Sequence, residues 1–273
     1  MIRIYLLLCS VVSVFLFALQ VSAQDLPIFD AHIHYNQPDW SVHSPDAIMK
    51  LFERAGVRWA MVSSTPDEGT LRLYNKAPAQ IVPILRPYRT DRDRASWTED
   101  LSILSYVETR LEKGIYQGIG EFHLSTDQAD SVVVRRFAEL AKKKGILLHA
   151  HTDEKGVERL LRLYPGVRIL LAHAGMSSSA ETVSRLIGKY SMLSVELAIR
   201  DDVAPGGHLG SGWQDLLLQF PDRFMVGSDP WITSRWESLP EIHGTIRAWL
   251  NQLPRDVAEK IAYQNAMRLV GKK

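Results

Sequence analysis

The sequence predicts an α/β protein built as a single (β/α)8 TIM barrel with an additional C-terminal helix. Eight short apolar runs alternate with longer amphipathic ones along the chain. Together they occupy about 250 residues, which is a typical length for such a barrel. Strands that alternate with helices form parallel sheets, because each helix crosses back over the sheet. A doubly wound open sheet is the alternative that fits the same alternation.

The apolar runs have the length of buried strands, and the segments between them have helical periodicity. The predicted strands cover residues 27–30, 59–63, 81–85, 118–122, 146–151, 167–172, 193–197 and 224–227. The predicted helices cover residues 45–55, 101–113, 131–144, 154–164, 178–190, 213–220, 236–253 and 255–270. Ser44 and Pro45 before the first helix and Gly56 after it are typical start and stop signals.

The first 23 residues are expected to be a signal peptide and not part of the fold. Arg3 supplies a positive charge, residues 4–19 form an apolar stretch, and small residues lead up to Ala23. This order is typical of secretory signals. Cleavage after Ala23 would leave residues 24–273 as an exported barrel domain, periplasmic or secreted. An uncleaved membrane anchor is the alternative, since the apolar stretch is only slightly shorter than the roughly 20 residues that span a bilayer.

The composition excludes several classes of protein. Cys9 is the only cysteine, so the mature chain is expected to contain no disulfide, thiolate nucleophile or cysteine metal site. A formal net charge of +1 gives no sign of a nucleic-acid partner. We expect a small-molecule substrate, no nucleic acid, and no stable membrane span after signal cleavage. The oligomeric state stays open.

Residues of the kind that bind metals stand at the ends of five predicted strands. In a barrel of this type the carboxyl ends of the strands surround one common mouth. The side chains in question are His32, His34, Glu121, His123, His149, His151, His173 and Asp229. Positions two apart share a face of a strand, so His32 and His34 can bind one ion together. Imidazole nitrogens and carboxylate oxygens suit zinc and related metals, and the pattern therefore predicts a metal centre.

Four stretches resemble the amidohydrolase superfamily, and within it the branch called amidohydrolase 2. They are FDAHIH at residues 29–34, YPGVRILLAHAG at 164–175, RFMVGSD at 223–229 and NAMRL at 265–269. The resemblance implies a metal-dependent hydrolase with one or two divalent ions, zinc first and manganese or another metal as alternatives. The implied ligands are His32, His34, one histidine of the fifth strand, His173, and Asp229, which also acts as the catalytic base.

Two ligand positions stay open. On the fifth strand the distance from Gly145 favours His151 as the ligand, which leaves His149 to support a ligand or contact substrate. On the fourth strand many members of the superfamily carry a carboxylated lysine, whereas this chain has Glu121, which resembles the glutamate of TatD-type nucleases. Glu121 is expected to bridge two ions. In the alternative it only contacts a histidine ligand, and the site holds one ion.

Substrate contacts are harder to predict. Arg86 and Arg89 follow the third strand and could bind a carboxylate or phosphate, with His123 and His149 as further candidates. Surface pairing of the arginines with Asp91 and Asp93 is the alternative. Weaker candidates are Glu196, His208, Trp231 and Trp236, and structural or surface roles are expected for His43 and His243.

The expected reaction is hydrolysis of an ester, lactone, amide or phosphoester. A decarboxylase or other lyase on the same site and a TatD-like phosphodiesterase are alternatives. A binding protein without turnover is the least favoured alternative, because binding alone requires no proton acceptor such as Asp229.

Overall fold

The computed structural model describes residues 26–272, and the predicted signal peptide therefore lies outside the described residues. Eight strands pair in chain order, each parallel to the next. Two hydrogen bonds join the end of the last strand to the first, from Ala31 N to Val226 O at 2.9 Å and from Asp229 N to His32 O at 2.8 Å. The predicted (β/α)8 barrel is confirmed.

The strands are β1 (Ile28–Ile33), β2 (Val57–Val62), β3 (Ile81–Leu85), β4 (Gly118–His123), β5 (Leu147–His151), β6 (Ile169–Leu171), β7 (Leu193–Glu196) and β8 (Phe224–Met225). The helices are α1 (Pro45–Ala55), α2 (Glu68–Lys76), α3 (Ser102–Leu111), α4 (Val132–Lys144), α5 (Glu154–Leu163), α6 (Ala180–Lys189), α7 (Ser211–Gln219) and α8 (Leu239–Leu250). A C-terminal helix follows in three consecutive segments, Arg255–Glu259, a π-helical turn Lys260–Gln264, and Asn265–Leu269. None of the helices within residues 26–272 has the length and hydropathy that a membrane span requires.

The elements differ from expectation in three places. Helix α2 is not among the predicted helices, because its sequence EGTLRLYNK contains glycine, threonine and asparagine, which are poor helix formers. Strands β6 and β8 are shorter than predicted, since the chain turns away into irregular structure after Leu171 and Met225. Strand β1 is longer than predicted and continues to Ile33.

Apolar side chains fill the barrel in two layers. The outer layer lies between strands and helices, and the inner layer lies inside the barrel. The inner layer contains Phe29, Ala31, Met61, Val82, Ile84, Leu147, Leu170 and Met225, together with Ala266 and Val270 near the C-terminus. The C-terminal helix thus covers the end of the barrel at which the strands begin. The opposite end, where the strands finish, carries the polar residues.

Strand β1 changes the face that it presents to the barrel interior. Phe29 and Ala31 pack inside, whereas Ile28 and Ile33 pack in the outer layer. His32 also points inside, where its ring lies 4.6 Å from the ring of His149, so two successive residues share a face. Pairing with β2 is irregular between Asp30 and Ile33, as at a β-bulge. Regular alternation from Phe29 would have turned His32 away from the interior.

The buried Asp30 carboxylate holds this irregular segment in place. Its Oδ1 accepts hydrogen bonds from His32 N at 3.0 Å and Ser228 N at 3.1 Å. Its Oδ2 accepts from the Ser228 hydroxyl and lies 2.9 Å from Nε2 of His243 on α8. One carboxylate therefore connects β1, the segment after β8, and α8. His243, which was expected to be structural or at the surface, is a buried structural residue.

Replacing Asp30 with alanine should destabilise the fold strongly. The change leaves two backbone N–H groups, a hydroxyl and an imidazole without their acceptor in the core, so we expect a loss of about 3 kcal/mol or more in the free energy of unfolding. Urea unfolding measures it. Asp30→Asn should lose much less, because its amide oxygen still accepts from His32 N and Ser228 N. Asp91→Ala, at an exposed position, is the control, and equal stability of Asp30→Ala and this control would contradict the assignment.

Candidate metal centre

The six residues predicted as metal ligands converge at the carboxyl end of the barrel. They are His32, His34, Glu121, His151, His173 and Asp229, and His151 is the most exposed of their side chains at 22%. All except His32 line a cavity of about 280 Å³ that opens at this end. The other lining residues are Arg86, Arg94, His123, Met176, Ile199, Arg200 and Trp231. The loops after β3, β6, β7 and β8 supply most of these.

His32 and His34 direct nitrogen atoms at the same point. Their Nε2 atoms lie 3.0 Å apart. Nδ1 of His32 lies 3.0 Å from the Glu196 carboxylate, and Nδ1 of His34 contacts the Ser63 carbonyl oxygen. Because a carboxylate and a carbonyl only accept hydrogen bonds, both Nδ1 atoms carry the proton. In the neutral rings, both Nε2 atoms then present lone pairs, and this is the arrangement that holds a cation.

Asp229 completes this group of atoms. Its Oδ1 lies 3.3 Å from His34 Nε2 and 3.7 Å from His32 Nε2. The same oxygen is buried and has no hydrogen-bond partner within residues 26–272. The backbone of Asp229 has a φ of 48°, a conformation that aspartate tolerates better than most residues. An ionised oxygen buried in this way requires a positive partner.

Glu121 stands between two groups of nitrogen atoms. Its Oε2 lies 3.3 Å from His34 Nε2 and 3.6 Å from His32 Nε2. Its Oε1 lies 2.7 Å from His151 Nδ1 and 3.6 Å from His173 Nε2. Each carboxylate oxygen thus faces a different pair of histidines.

Glycine before Glu121 is a local requirement of this arrangement. Gly120 has a φ of 137°, and a Cβ there would lie 2.2 Å from the His149 carbonyl oxygen. Pairing of β4 with β5 is irregular between Gly120 and Phe122, which turns the intervening Glu121 into the barrel.

Glu196 is the most important residue that the sequence pointed to only weakly. It is fully buried at the end of β7. Its Oε1 binds His32 Nδ1 and accepts a hydrogen bond of 2.6 Å from His173 N, and its Oε2 accepts one from Ala198 N. Gly227 leaves room for this side chain, since a Cβ there would lie 2.7 Å from Oε2. Glu196 therefore orients two predicted ligands, and a glutamate inside an apolar strand was the only signal of it in the sequence.

His151 and His149 both face the barrel interior but at different depths. His151 lines the cavity and contacts Glu121. His149 lies deeper, with its ring against that of His32 and its Nε2 buried without a hydrogen-bond partner. Burial lowers the pKa of His149 to about 3, so the ring is neutral. Of the two, only His151 lines the cavity, and it remains the predicted ligand.

His123 is held beside His151 by neighbouring aromatic residues. Its ring stacks on that of His151 with centroids 4.2 Å apart. The buried Tyr88 hydroxyl accepts a hydrogen bond from His123 N at 2.8 Å and lies 3.3 Å from His123 Nδ1. Among residues 26–272 the hydroxyl proton finds an acceptor only at Nδ1, so the ring proton of neutral His123 is assigned to Nε2. His123 thus supplies an N–H donor at the wall of the cavity.

The two arginines that follow β3 have different surroundings. Arg86 is buried at the cavity, with its NH2 2.8 Å from Glu121 Oε2 and its Nε donating to the Glu121 carbonyl. Arg89 does not line the cavity and forms ion pairs with Asp93 and Asp100 at 2.8 and 2.6 Å. Neighbouring aspartates thus bind the guanidinium group of Arg89, which resembles the surface pairing given as the alternative to a substrate contact.

The remaining candidates also divide into residues that line the cavity and residues that do not. Trp231 lines the cavity, whereas Trp236 is buried in the core and His208 is exposed away from the cavity. Arg94, Arg200, Met176 and Ile199 also line the cavity and were not predicted. They lie on irregular loops, where neither periodicity nor motif marks the direction of a side chain. The loop after β3 supplies Arg86 and Arg94 to the cavity wall.

Carboxylates determine the charge of this centre. Burial alone would lower the pKa of His32, but Asp229, Glu121 and Glu196 raise it well above its usual value. Burial also opposes the rise in the pKa of His173, which Glu196 and Glu121 cause. Conversely, burial would raise the pKa of the carboxylates, but the histidines hold those of Glu121 and Asp229 well below their usual range and that of Glu196 at about 2. These carboxylates therefore favour a positive charge at the centre, which is carried by protonated histidines in the metal-free protein and by the metal ion when one is bound.

These residues fit a divalent metal. The donors are imidazole nitrogens and carboxylate oxygens, the ligand types of zinc and related transition metals. The Nε2 lone pairs of His32 and His34 converge beside a buried Asp229 oxygen without a hydrogen-bond partner. A second combination of donors, Glu121, His123 and His151, has its atoms within 4.8 Å of one another. The second combination would hold its ion through Glu121 and His151, because Nε2 of His123 carries a proton.

Metal affinity should fall as the pH is lowered. His32 must be neutral to bind metal, and its raised pKa in the metal-free protein means that a proton competes already near neutral pH. Below that raised pKa, the apparent affinity should fall about tenfold per pH unit for each proton that the metal displaces. Zinc titration against a chelator between pH 6 and 8 measures this, with proton release followed in buffers of different ionisation enthalpy. Affinity independent of pH, without proton release, would contradict it.

Comparison with solved structures shows the same fold at low sequence identity. A probable 2-pyrone-4,6-dicarboxylic acid hydrolase from Acinetobacter baumannii, with citric acid bound, is 15% identical, with a TM-score of 0.58 over 89% of this chain and 99% of that chain. A Pseudomonas putida protein given the same provisional function is 14% identical, with a TM-score of 0.64 over 90% and 98%. The TatD homologue YJJV from Escherichia coli K12 is 15% identical, with a TM-score of 0.64 over 90% and 98%.

Sequence comparison identifies the family. No curated protein matches the chain. The profile of the amidohydrolase family Amidohydro_2 matches residues 114–272, which is more than half of the sequence. This stretch contains β4 to β8 and therefore Glu121, His151, His173 and Asp229. The protein thus belongs to the amidohydrolase family, as its motifs indicated, and is a metal-dependent hydrolase.

Proposed function

We propose that the protein hydrolyses an ester, lactone, amide or phosphoester with two divalent metal ions bridged by Glu121. The observation that supports this best is the position of Glu121. Its Oε2 faces His32 and His34, and its Oε1 faces His151 and His173. Arg86 also binds Oε2, but a carboxylate oxygen can accept two partners. Zinc is the first candidate ion and manganese the second.

Ions bound there would lower the pKa of a water molecule and polarise the group under attack. Asp229 then receives the water proton. The neighbouring histidines keep its carboxylate ionised despite burial. Its Oδ2 lies 3.8 Å from His173 Nε2, so it is held beside both groups of ligands. Asp229 thus offers a carboxylate beside both groups of predicted ligands.

His123 has a complementary role in this proposal. Its Nε2–H, fixed by Tyr88, donates a hydrogen bond to the oxygen of the substrate that gains negative charge during attack. Because burial lowers the pKa of His123 to about 3, the ring stays neutral and keeps Nδ1 available to Tyr88. Arg86 places a positive charge at the same wall of the cavity. The substrate is a small molecule, since the cavity of about 280 Å³ admits nothing larger in full.

Two further parts of the proposal rest on sequence and fold. We propose export to the periplasm or the medium from the signal-like order of residues 1–23. The proteins of similar fold are named for hydrolysis of 2-pyrone-4,6-dicarboxylic acid and for the TatD family. A first substrate screen should therefore contain pyrone lactones and phosphodiesters beside simple esters and amides. Release of carbon dioxide without uptake of water in that screen would instead identify a lyase.

The metal content of the purified chain tests the two-ion proposal. We expect close to two equivalents per chain, falling towards one in Glu121→Gln, which removes the bridging charge but keeps the side-chain volume. Elemental analysis measures this, and Glu53→Gln, at an exposed glutamate, is the control. One equivalent that is unaffected by Glu121→Gln would establish a one-ion site. No bound metal, even after reconstitution with zinc or manganese, would refute the proposal as a whole.

Replacing Asp229 with asparagine should abolish most turnover while the fold survives. Loss of the proton acceptor lowers kcat by about 10²–10⁴-fold, and loss of a ligand charge lowers it further. The rate is measured on whichever substrate the screen identifies, with circular dichroism and metal analysis of the same preparation. Asp91→Asn serves as the control at an exposed position. A folded Asp229→Asn variant with near-normal turnover would contradict the assigned role.

A further inference from the structure

One arginine that lines the cavity, Arg94, has no partner of opposite charge among the described residues. Three arginines line it, and two of them are engaged: Arg86 binds Glu121, and Arg200 binds Asp202. Arg94 lies on the turn Asp91–Ala95 in the loop after β3. Across residues 26–272 it forms no hydrogen bond and no ion pair. A guanidinium group at a cavity wall without a partner is suited to bind a planar anion through two parallel hydrogen bonds.

The same cavity has an apolar rim made of three side chains. Met176, Ile199 and Trp231 line it, and they are 44%, 46% and 52% exposed. They come from three different loops, after β6, β7 and β8. Most large apolar side chains of this protein are buried, so an exposed group around one opening is informative. Contiguous apolar surface at the rim of a cavity marks a binding site.

Two of these rim residues are held in strained backbone conformations. Met176 has a φ of 65° and Ile199 a φ of 55°. Positive φ is rare outside glycine and is an outlier for a β-branched residue such as isoleucine. Strain of this kind persists where the surroundings enforce it, and it concentrates at functional sites.

Arg200 holds the loops that carry these two strained residues. Its guanidinium group donates to the carbonyl oxygens of His173, Ala174 and Ser178 at 3.1, 3.2 and 2.8 Å. These contacts tie the loop after β7, which carries Ile199, to the loop after β6, which carries Met176. The two apolar side chains are therefore presented together at the opening.

We propose that the substrate is an organic carboxylate with an apolar body. Arg94 binds the carboxylate, and the apolar body lies against Met176, Ile199 and Trp231. The bond to be cleaved then reaches the end of the cavity that Glu121 and Asp229 line. This inference deepens the proposed function and rests on it for the position of the reacting group. It assigns the rim of the same cavity to substrate recognition.

The charge balance favours a carboxylate over a phosphate monoester. One free guanidinium group matches one negative charge, and the other two arginines are already neutralised by Glu121 and Asp202. A phosphate monoester carries up to two charges at neutral pH, so it would leave one charge without a partner.

Equilibrium binding of small probes tests the proposal independently of the bond that is cleaved. The probes are 3-phenylpropionate, its uncharged amide, and acetate, which lacks the apolar body. They are titrated by calorimetry into the metal-loaded chain. We expect 3-phenylpropionate to bind at least about tenfold more tightly than either of the others, since a charge-assisted pair and an apolar contact both contribute. Equal binding of the amide, or of acetate, would overturn the proposal.

Two matched variants test whether Arg94 binds the carboxylate of the probe. Arg94→Ala should bind 3-phenylpropionate only as well as the amide, whereas Arg92→Ala, at an exposed position on the same turn that does not line the cavity, should behave as the unmodified chain. Unchanged affinity in Arg94→Ala would overturn the proposal, because the carboxylate would then bind elsewhere, for example at the metal. Benzyl phosphate is the further probe, and Arg94-dependent binding of it in preference to the carboxylate would also overturn the assignment.

The Ile199→Gly variant tests whether the isoleucine side chain, which is held at a positive φ, serves substrate binding. Glycine adopts a positive φ freely, and the isoleucine side chain is nearly half exposed. We therefore expect an unchanged or higher Tm together with at least threefold weaker binding of 3-phenylpropionate. A higher Tm with undiminished binding would contradict the proposed contact between the rim and the apolar body of the substrate. If the chain holds no metal but still binds 3-phenylpropionate through Arg94, the proposed hydrolysis is refuted and the carboxylate site is retained. Failure of the proposed function can thus be distinguished from failure of this inference.

Discussion

Hydrogen bonds to the buried Asp30 carboxylate hold the irregular end of the first strand against the chain that follows the last strand. The geometry of the centre depends on them. They stabilise the change of face that turns His32 inward after Ala31, and they bring Ser228, the neighbour of Asp229, to the same point. Since Asp229 N also donates to the His32 carbonyl, the ligands of the first and last strands form one connected unit. The contacts that close the barrel are therefore also contacts that position the residues of the centre.

Around that unit, three imidazoles are each fixed through the nitrogen that faces away from the predicted ion. Glu196 holds His32, the Ser63 carbonyl holds His34, and the Ala198 carbonyl holds His173. These acceptors set the tautomer and the direction of the free nitrogen, which is what a metal ligand needs. The arrangement concentrates carboxylates in a buried place, and burial of unbalanced charge is costly. The carboxylates that favour protonated histidines in the metal-free protein also favour a divalent cation.

The inner part of the cavity and its rim are built differently. Inner residues stand on strands or directly after them, and their directions are fixed by the sheet. Rim residues such as Arg94 and Ile199 stand on loops, which are held by a few specific contacts such as those of Arg200. In the proposed function, hydrolytic chemistry therefore belongs to the strand ends, and substrate recognition belongs to loops whose sequence can change without disturbing the sheet.

The sequence by itself determined the barrel, most of its helices and the residues that converge at its mouth. It could do so because strand and helix periodicities are local, and because His32, His34, Glu121, His173 and Asp229 follow apolar strand cores. It missed α2, whose nine residues contain weak helix formers, and it could not show which face of β1 points inward, because a bulge shifts the alternation. That shift is stabilised by Asp30 and His243, which lie far apart in sequence.

Only the tertiary structure decided the roles of Glu196, His123 and the arginines. Glu196 acts through contacts with His32 and His173 that sequence spacing does not encode. Arg86 and Arg89 are three residues apart, yet one reaches Glu121 and the other reaches Asp93 and Asp100. The physical reason is common to these cases. Periodicity fixes direction along a strand or helix, whereas the partner of a polar side chain depends on which elements the closed barrel brings together.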